Sequence, residues 1–390
     1  MTEVSEILSQ GVALSRAHRY EEAAGIFGRV AESTDPAARG DVARALIYRA
    51  AALHALGRLE EAAPVLEQVV HRFGDATEPE LRAAVATALV EKGVVLGRLG
   101  RPEQALTTLD EMEARFAGAS EPSLREQMAS ALLNTGVALD QLGRTQDAIA
   151  AFDELVRLYA GDSPAPVPYA VRAGGEEQSD VRTYVARALN EKAVLLLRGG
   201  EYREAATACD AVLSRYAEAS EPALREQVAR ALVGKAAILF ELDGPGAAAG
   251  VYDEVLTRFG TATDAALPRY VAQALVQRGA ISGRAGRDEE AARAFEATVR
   301  RFGTSTDPAV LEHVALAMVE LGSALWNAGR REPAIAVLDE MIAHFADATN
   351  PVLREQVAQA QANKELVLAE LARARAAAPA PRHRSRWWRR

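Results

Sequence analysis

The chain has 390 residues, 49% of them apolar but only 5% aromatic, and a net charge of −9. Abundant alanine with few aromatics suits closely packed helices and leaves strands without their favoured residues. The acidic balance excludes the broad basic surface of a general nucleic-acid binder. A lone cysteine, Cys209, excludes an intramolecular disulfide and makes a reducing compartment the simpler expectation.

The N-terminus, "MTEVSEILSQGVALS", carries acids where a secretory signal needs bases. No run of 18 apolar residues occurs, so a soluble, cytoplasmic, non-spanning protein is expected. A phrase then recurs along the chain: "AHRYEEA" ending at Ala23, "LGRLEEA" at Ala62, "LGRPEQA" at Ala105, "LGRTQDA" at Ala148, "GGEYREA" at Ala205, a weaker "LDGPGAA" at Ala248, "AGRDEEA" at Ala291 and "AGRREPA" at Ala334. After a first step of 39, the alanines are 43 residues apart, except for one step of 57 that holds a 14-residue insertion. "LREQ" marks the same period at Leu124–Gln127, Leu224–Gln227 and Leu353–Gln356. A fixed period of this length indicates a stack of small identical units.

Each unit reads as two helices. Ahead of the hinge glycine, Leu81, Val85, Leu89, Leu96 and Leu99 recur at helical spacing. Behind it, Ala62, Leu66, Val69 and Phe73, or Ala148, Phe152, Leu155 and Tyr159, form one helical face. Second helices end in phrases such as "FGDATEP" and "FGTSTDP". There a left-handed glycine cap is expected, followed by a polar N-cap and a proline in the next first turn. One column of the first helices is alanine throughout: Ala45, Ala88, Ala131, Ala188, Ala231, Ala274, Ala317 and Ala360. A second is only Gly or Ala: Ala50, Gly93, Gly136, Ala193, Ala236, Gly279 and Gly322. Residues this small let helix axes approach closely. The expectation is an all-α array over residues 1–376, with eight antiparallel helix pairs and a ninth, capping helix. The insertion at 161–179 reads as a loop, and 377–390 as a disordered basic tail.

These columns resemble the tetratricopeptide repeat. The match lies in Gly93 and Gly136 of the first helix, the hinge glycines Gly100 and Gly143, the alanines Ala105 and Ala148 five later, and Leu109 and Phe152 four after those. The departures are a period of 43 in place of 34, leucines where first-helix aromatics are usual, and no closing proline. A HEAT- or armadillo-like array fits the period too, but does not predict the hinge pattern. The resemblance implies a right-handed superhelical solenoid that binds a protein or peptide in a groove lined by first helices. Carried over by column, the groove is Val90, Val94, Arg98, Val137, Gln141, Val194, Arg198, Val233, Phe240, Val276, Arg284 and Trp326. An apolar floor with scattered arginines suits an amphipathic helix or an extended apolar peptide; the alternative is that long helices bury this floor against each other.

Only four of 45 basic residues are lysine, and Lys92, Lys192, Lys235 and Lys364 share one column with Arg49 and Arg278; Thr135 and Leu321 break it. Asp110, Asp210 and Asp253 lie eighteen residues on from the lysines at Lys92, Lys192 and Lys235, and Glu67 and Glu296 from the arginines. An ion pair clasping the two helices of each unit is the structural reading, and a ladder of ammoniums holding an acidic ligand the functional one. Against the clasp, Asp153 and Asp339 persist where the base is missing.

No catalytic or cofactor constellation appears. The histidines occupy different columns, Cys209 sits in the apolar column of Phe152 and Phe295, and the glycines are hinges. No enzyme, metal or cofactor is expected. The tail carries Arg386, Trp387, Trp388, Arg389 and Arg390, which can meet anionic lipid, nucleic acid or an acidic protein surface. Membrane contact through one short cluster would be weak. The sequence thus points to a non-catalytic scaffold or adaptor. The alternative is a regulator whose tail localises it to membrane or nucleic acid or blocks its own groove.

Overall fold

The computed structural model describes residues 3–161 and 180–377. The expected insertion from residue 162 onward and the basic tail from 378 onward lie outside those residues. The described residues form seventeen α-helices: α1 (Glu3–Arg16), α2 (Tyr20–Ala31), α3 (Arg39–Ala55), α4 (Leu59–Phe73), α5 (Pro79–Arg98), α6 (Pro102–Phe116), α7 (Pro122–Gln141), α8 (Thr145–Tyr159), α9 (Val181–Arg198), α10 (Tyr202–Tyr216), α11 (Pro222–Leu242), α12 (Pro245–Phe259), α13 (Leu267–Arg284), α14 (Asp288–Phe302), α15 (Pro308–Asn327), α16 (Arg331–His344) and α17 (Pro351–Ala377). Odd-numbered helices are the first helices of the repeat, and even-numbered ones the second.

Two compact units, Met1–Ala231 and Leu232–Arg390, divide the chain inside α11. In the first unit each helix from α1 to α10 packs on the next, and α1, α3, α5, α7 and α9 also pack in series. In the second, α12 to α17 pack in sequence, with α13 on α15 and α15 on α17. This is the sequential pairing of a helical solenoid.

The small columns explain the packing. All eight alanines of the first column are fully buried. The second column faces the large side chain sixteen residues on, in the unit's own second helix. A Cβ on Gly93 would lie 2.9 Å from Leu109, on Gly279 2.6 Å from Phe295 and on Gly322 2.8 Å from Leu338, and on Gly136 it would intrude on the Phe152 ring. Alanine stands in the column at Ala50, Ala193 and Ala236, where the residues sixteen on are Leu66, Cys209 and Tyr252.

The hinges are left-handed at Gly57, Gly100, Gly143, Gly200, Gly286 and Gly329, with φ between 70° and 79°. Only glycine takes that conformation without steric cost. In the weaker copy the positive φ moves to Gly244, and in the first copy it falls on His18, at 58°. The expected left-handed glycine after a second helix is present at Gly118, beyond α6, with φ 73°, but not at three other ends. At the ends of α4, α12 and α14, Gly74, Gly260 and Gly303 are right-handed. A Cβ on Gly74 or Gly303 would lie 2.6 or 2.7 Å from the carbonyl oxygen of Val70 or Val299, so close approach within the last turn selects glycine. Three of the following helices are capped by an aspartate, whereas Glu78 and Glu121 before α5 and α7 make no side-chain cap. The Asp35, Asp180 and Asp307 carboxylates each accept from the backbone N–H two residues on.

By length and composition α15 could cross a membrane. Its apolar residues, including Val310, Val314, Met318 and Leu325, are instead buried in the array. At the far end, α17 exposes Gln361 and Glu365 in the columns held by Leu89 and Gly93 in α5. A face that polar does not seat a second helix, and α17 closes the stack as a cap.

Two expectations follow. Gly136→Ala forces a methyl into the Phe152 ring and should destabilise the chain by about 1–3 kcal/mol, read as a lower denaturation midpoint. His18→Gly relieves a left-handed non-glycine residue and should raise the midpoint by about 1 kcal/mol, less whatever the His18–Tyr20 hydrogen bond contributes.

Candidate functional site

Ion pairs connect the helix pairs, and their direction corrects the sequence reading. Lys92 pairs with Glu67. Lys192 Nζ is 2.5 Å from Asp153, Arg278 Nε 2.6 Å from Asp253, and Lys364 Nζ 2.5 Å from Asp339. In every case the base lies on a first helix and the acid on the second helix of the preceding pair. The clasp therefore joins neighbouring pairs and does not close a pair on itself. This also accounts for Asp153 and Asp339, which had no base within their own pairs: their bases come from the pair that follows. The lysine stem runs half-buried between helices and delivers its charge at the rim.

A second ladder lies at the other end of the first helices. Arg39 NH1 is 2.6 Å from Glu78, Arg82 NH2 3.4 Å from Glu121, and Arg182 NH2 2.7 Å from Glu221. Arg39 and Arg82 also stand over the rings of Phe73 and Phe116, at 5.9 and 5.7 Å. Arg39 and Arg82 thus bridge their own unit's aromatic and the acid that opens the next unit.

The groove residues separate into three groups. Val90, Val233 and Val276, at 1, 6 and 2% exposure, are packed between helices and offer no surface. The long helices bury that column, because Ile47, Leu133, Asn190 and Val319 are buried there too. Asn190 Nδ2 satisfies itself on the backbone and side-chain oxygens of Gln227, at 3.1 and 3.2 Å. One turn on, Val94 and Val137 are half-buried and Val194 is 39% exposed. On α5, α7 and α9 they form a row that no second helix covers.

A further turn brings the polar tips. Arg98 NH1 is 2.6 Å from His54 Nε2, and Arg198 NH2 is 2.8 Å from both Asp140 oxygens; Gln141 is exposed beside Asp140. In the second unit, Arg284 stands 5.1 Å over Phe240 and Arg331 5.4 Å over Trp326. The arginines read as scattered are thus tied to the preceding first helix. His54 was missed as Arg98's partner because nothing in the repeat pairs columns 44 residues apart. Burial, then the Arg98 charge, holds the His54 imidazole below its ordinary value, so the neutral ring accepts from the guanidinium. Cys209 is buried in the core.

The tetratricopeptide repeat family model matches residues 8–77, 83–163 and 283–351, more than half of the chain. The chain belongs to the tetratricopeptide repeat family. No curated protein matches it. Among solved structures, apo RapI aligns over 94% of this chain and 99% of its own, at 12% identity and a TM-score of 0.56. A STAND signal-transduction ATPase with a tetratricopeptide repeat sensor, from Pyrococcus horikoshii, aligns over 90% of this chain and 52% of its own, at 14% identity and 0.54. A tetratricopeptide repeat protein from Parabacteroides merdae aligns over 81% and 97%, at 14% and 0.46. At these identities the likeness is one of fold.

Two measurements check the ladders. A double-mutant cycle on Lys192 and Asp153 should give a coupling of about 0.5 kcal/mol, and one on Lys192 and Asp210 close to none. The His54 pKa is lowered on folding, so the unfolded chain binds the proton more readily. The stability His54 contributes is present above about pH 6.5 and is lost as pH falls through that value toward the folded pKa. His54→Gln should flatten the fall in melting temperature between pH 7 and 5.

Proposed function

We propose that the chain is a non-catalytic cytoplasmic scaffold or adaptor that binds a peptide or helix of another protein across the first helices of its N-terminal unit. One observation carries the reading. Val94, Val137 and Val194 form an apolar row on α5, α7 and α9, left open to solvent and bordered by Arg98, Gln141 and Arg198. Open apolar residues on successive first helices, with charge one turn away, suit an amphipathic segment whose apolar face lies on the row and whose acids meet the arginines. The arginines are already half satisfied, Arg198 by Asp140 and Arg98 by His54, so they orient a ligand more than they attract it. The sensor role named for the repeat part of the Pyrococcus protein supports a recognition module.

The test is affinity capture with the full chain, its Val94→Glu/Val194→Glu double variant and a second-helix control, Glu103→Lys. A partner of the row should be retained by wild type and control and reduced about tenfold by the double variant. Equal retention by all three would remove the row from consideration.

A further inference from the structure

A regular array makes its exceptions visible, and four of them meet in one place. A cleft of about 500 Å³ opens between α6, α7 and α8, with Phe116, Met128, Leu158 and Tyr159 on its apolar side and Glu113 at its edge. In the column of Glu113 the second helices from α4 to α16 otherwise carry valine, leucine or isoleucine, as at Val70, Val156 and Leu213. In that of Leu158 they carry arginine or histidine, as at Arg72, Arg115 and His344. Every other first helix from α3 to α17 has valine where α7 has Met128; Val85, Val185 and Val271 are at most 1% exposed, whereas Met128 is half-buried. Thr135, whose hydroxyl donates to Glu113 over 3.4 Å, stands in the column of Lys92, Lys192 and Lys364. This junction has therefore lost two bases, gained an acid and brought a methionine to its surface.

The bases around the cleft are committed elsewhere. Arg115 holds Glu111 at 2.8 Å, Arg157 holds Glu154 at 2.5 Å, and Arg125 lies 5.8 Å over Tyr159. Asp110 occupies the position from which Glu67, Asp153 and Asp339 receive a base of the following pair, and Thr135 supplies none. Where Leu321 makes the same break, Arg330 stands 3.9 Å from Glu296. Among the described residues no base pairs with Asp110 or Glu113. Burial, and then the neighbouring Asp110 charge, pushes the Glu113 carboxyl up, against the opposing pull of the Thr135 hydroxyl. Leu158 is left 44% exposed on the apolar side. The cleft thus lacks a cation and, beside it, a large apolar group.

We propose that the α6–α7–α8 cleft is a second docking site, for a basic segment of another protein in which an arginine or lysine adjoins a tryptophan or similarly large apolar side chain. The base brings Asp110 and Glu113 the charge that Thr135 does not, and its apolar neighbour packs on Met128, Leu158 and Tyr159. Charge complementarity selects this occupant. An acidic segment would meet like charge, and a wholly apolar one would seal Glu113 away from water without a counter-ion. Methionine, unbranched and polarisable, moulds to an incoming side chain where the stiff valine of the other units does not. The volume falls in the range that encloses a bulky group, and a tryptophan brings about 150–250 Å² of surface to bury. The cleft lies wholly within the unit Met1–Ala231, and Met128 is more than two turns along α7 from Val137. It is therefore distinct from the apolar row of the first helices, and either can fail without the other.

Methionine methyl resonances of the full chain provide the test, because Met112, Met318 and Met341 are buried and Met128 is not. The chain, labelled with carbon-13 at its methionine methyls, is titrated with the blocked peptide acetyl-GSRWSG-amide and with its acidic counterpart, acetyl-GSEWSG-amide; Met128→Leu assigns the signal. The basic peptide should shift Met128 saturably and leave Met318 and Met341 in place, and the acidic one should not shift it. Affinity should fall about tenfold in Thr135→Lys/Leu158→Arg, which restores the bases of the repeat, and in Asp110→Asn/Glu113→Gln, and hold in Val94→Glu/Val194→Glu. Should the charge-restored variant melt below wild type, Asp110→Asn/Glu113→Gln alone decides. No shift with the basic peptide, an equal shift with the acidic one, or an affinity indifferent to the cleft substitutions would overturn the proposal. So would a Met128 signal that moves when the peptide-free chain is concentrated, which would give the cleft to a second copy.

Discussion

The distance between helix axes governs this protein. Two columns on the first helices hold nothing larger than alanine from the second pair to the eighth, and the second helix uses the space to insert Leu109, Phe152, Phe295 or Leu338. Dispersion and burial both depend on that fit: a gap of a methyl's width forfeits contact, and an added methyl finds no room. The left-handed hinge follows from the same constraint. Two helices held this close must reverse in two or three residues, which six glycines near φ 75° accomplish.

Charge acts at a different level. Each unit is closed by apolar contact, and polar groups are used between units: lysines at one end of the first helices, and arginines with aromatics at the other. Single exposed pairs of this kind contribute little. Repeated at several junctions they fix the register of one pair against the next, while apolar burial supplies the bulk of the stability.

Much of this was legible in the sequence because the period is exposed by small residues. Ala88, Gly136 and Gly143 announce packing and hinge wherever they fall in step, and the seventeen helices begin and end where that period places them. The lysine clasp was half legible. The column was visible, but Lys192 has Asp153 on one side and Asp210 on the other, and the choice depends on which helix crosses it, a fact of geometry that spacing does not carry. The groove was less legible. Val90 and Val94 differ only by a turn, yet the first is sealed and the second open, because longer helices shift the seam between neighbours by one turn. The glycines after second helices were legible in part: Gly118 is left-handed as its position suggests, whereas Gly74 and Gly303 are required by a nearby carbonyl oxygen and not by their own φ.

The direction of the clasp bears on how such a chain changes over evolutionary time. Since the acid trails one unit and the base leads the next, a 43-residue cassette that has both residues in place brings both halves of the bond, and its duplication leaves the new junction mated. Recombination in multiples of the period is thereby tolerated, and arrays of differing size can descend from one ancestor. Thr135 and Leu321 depart from that interchangeability: the fourth and eighth pairs, which carry them, bring no base of this column to Asp110 or Glu296 of the pair before.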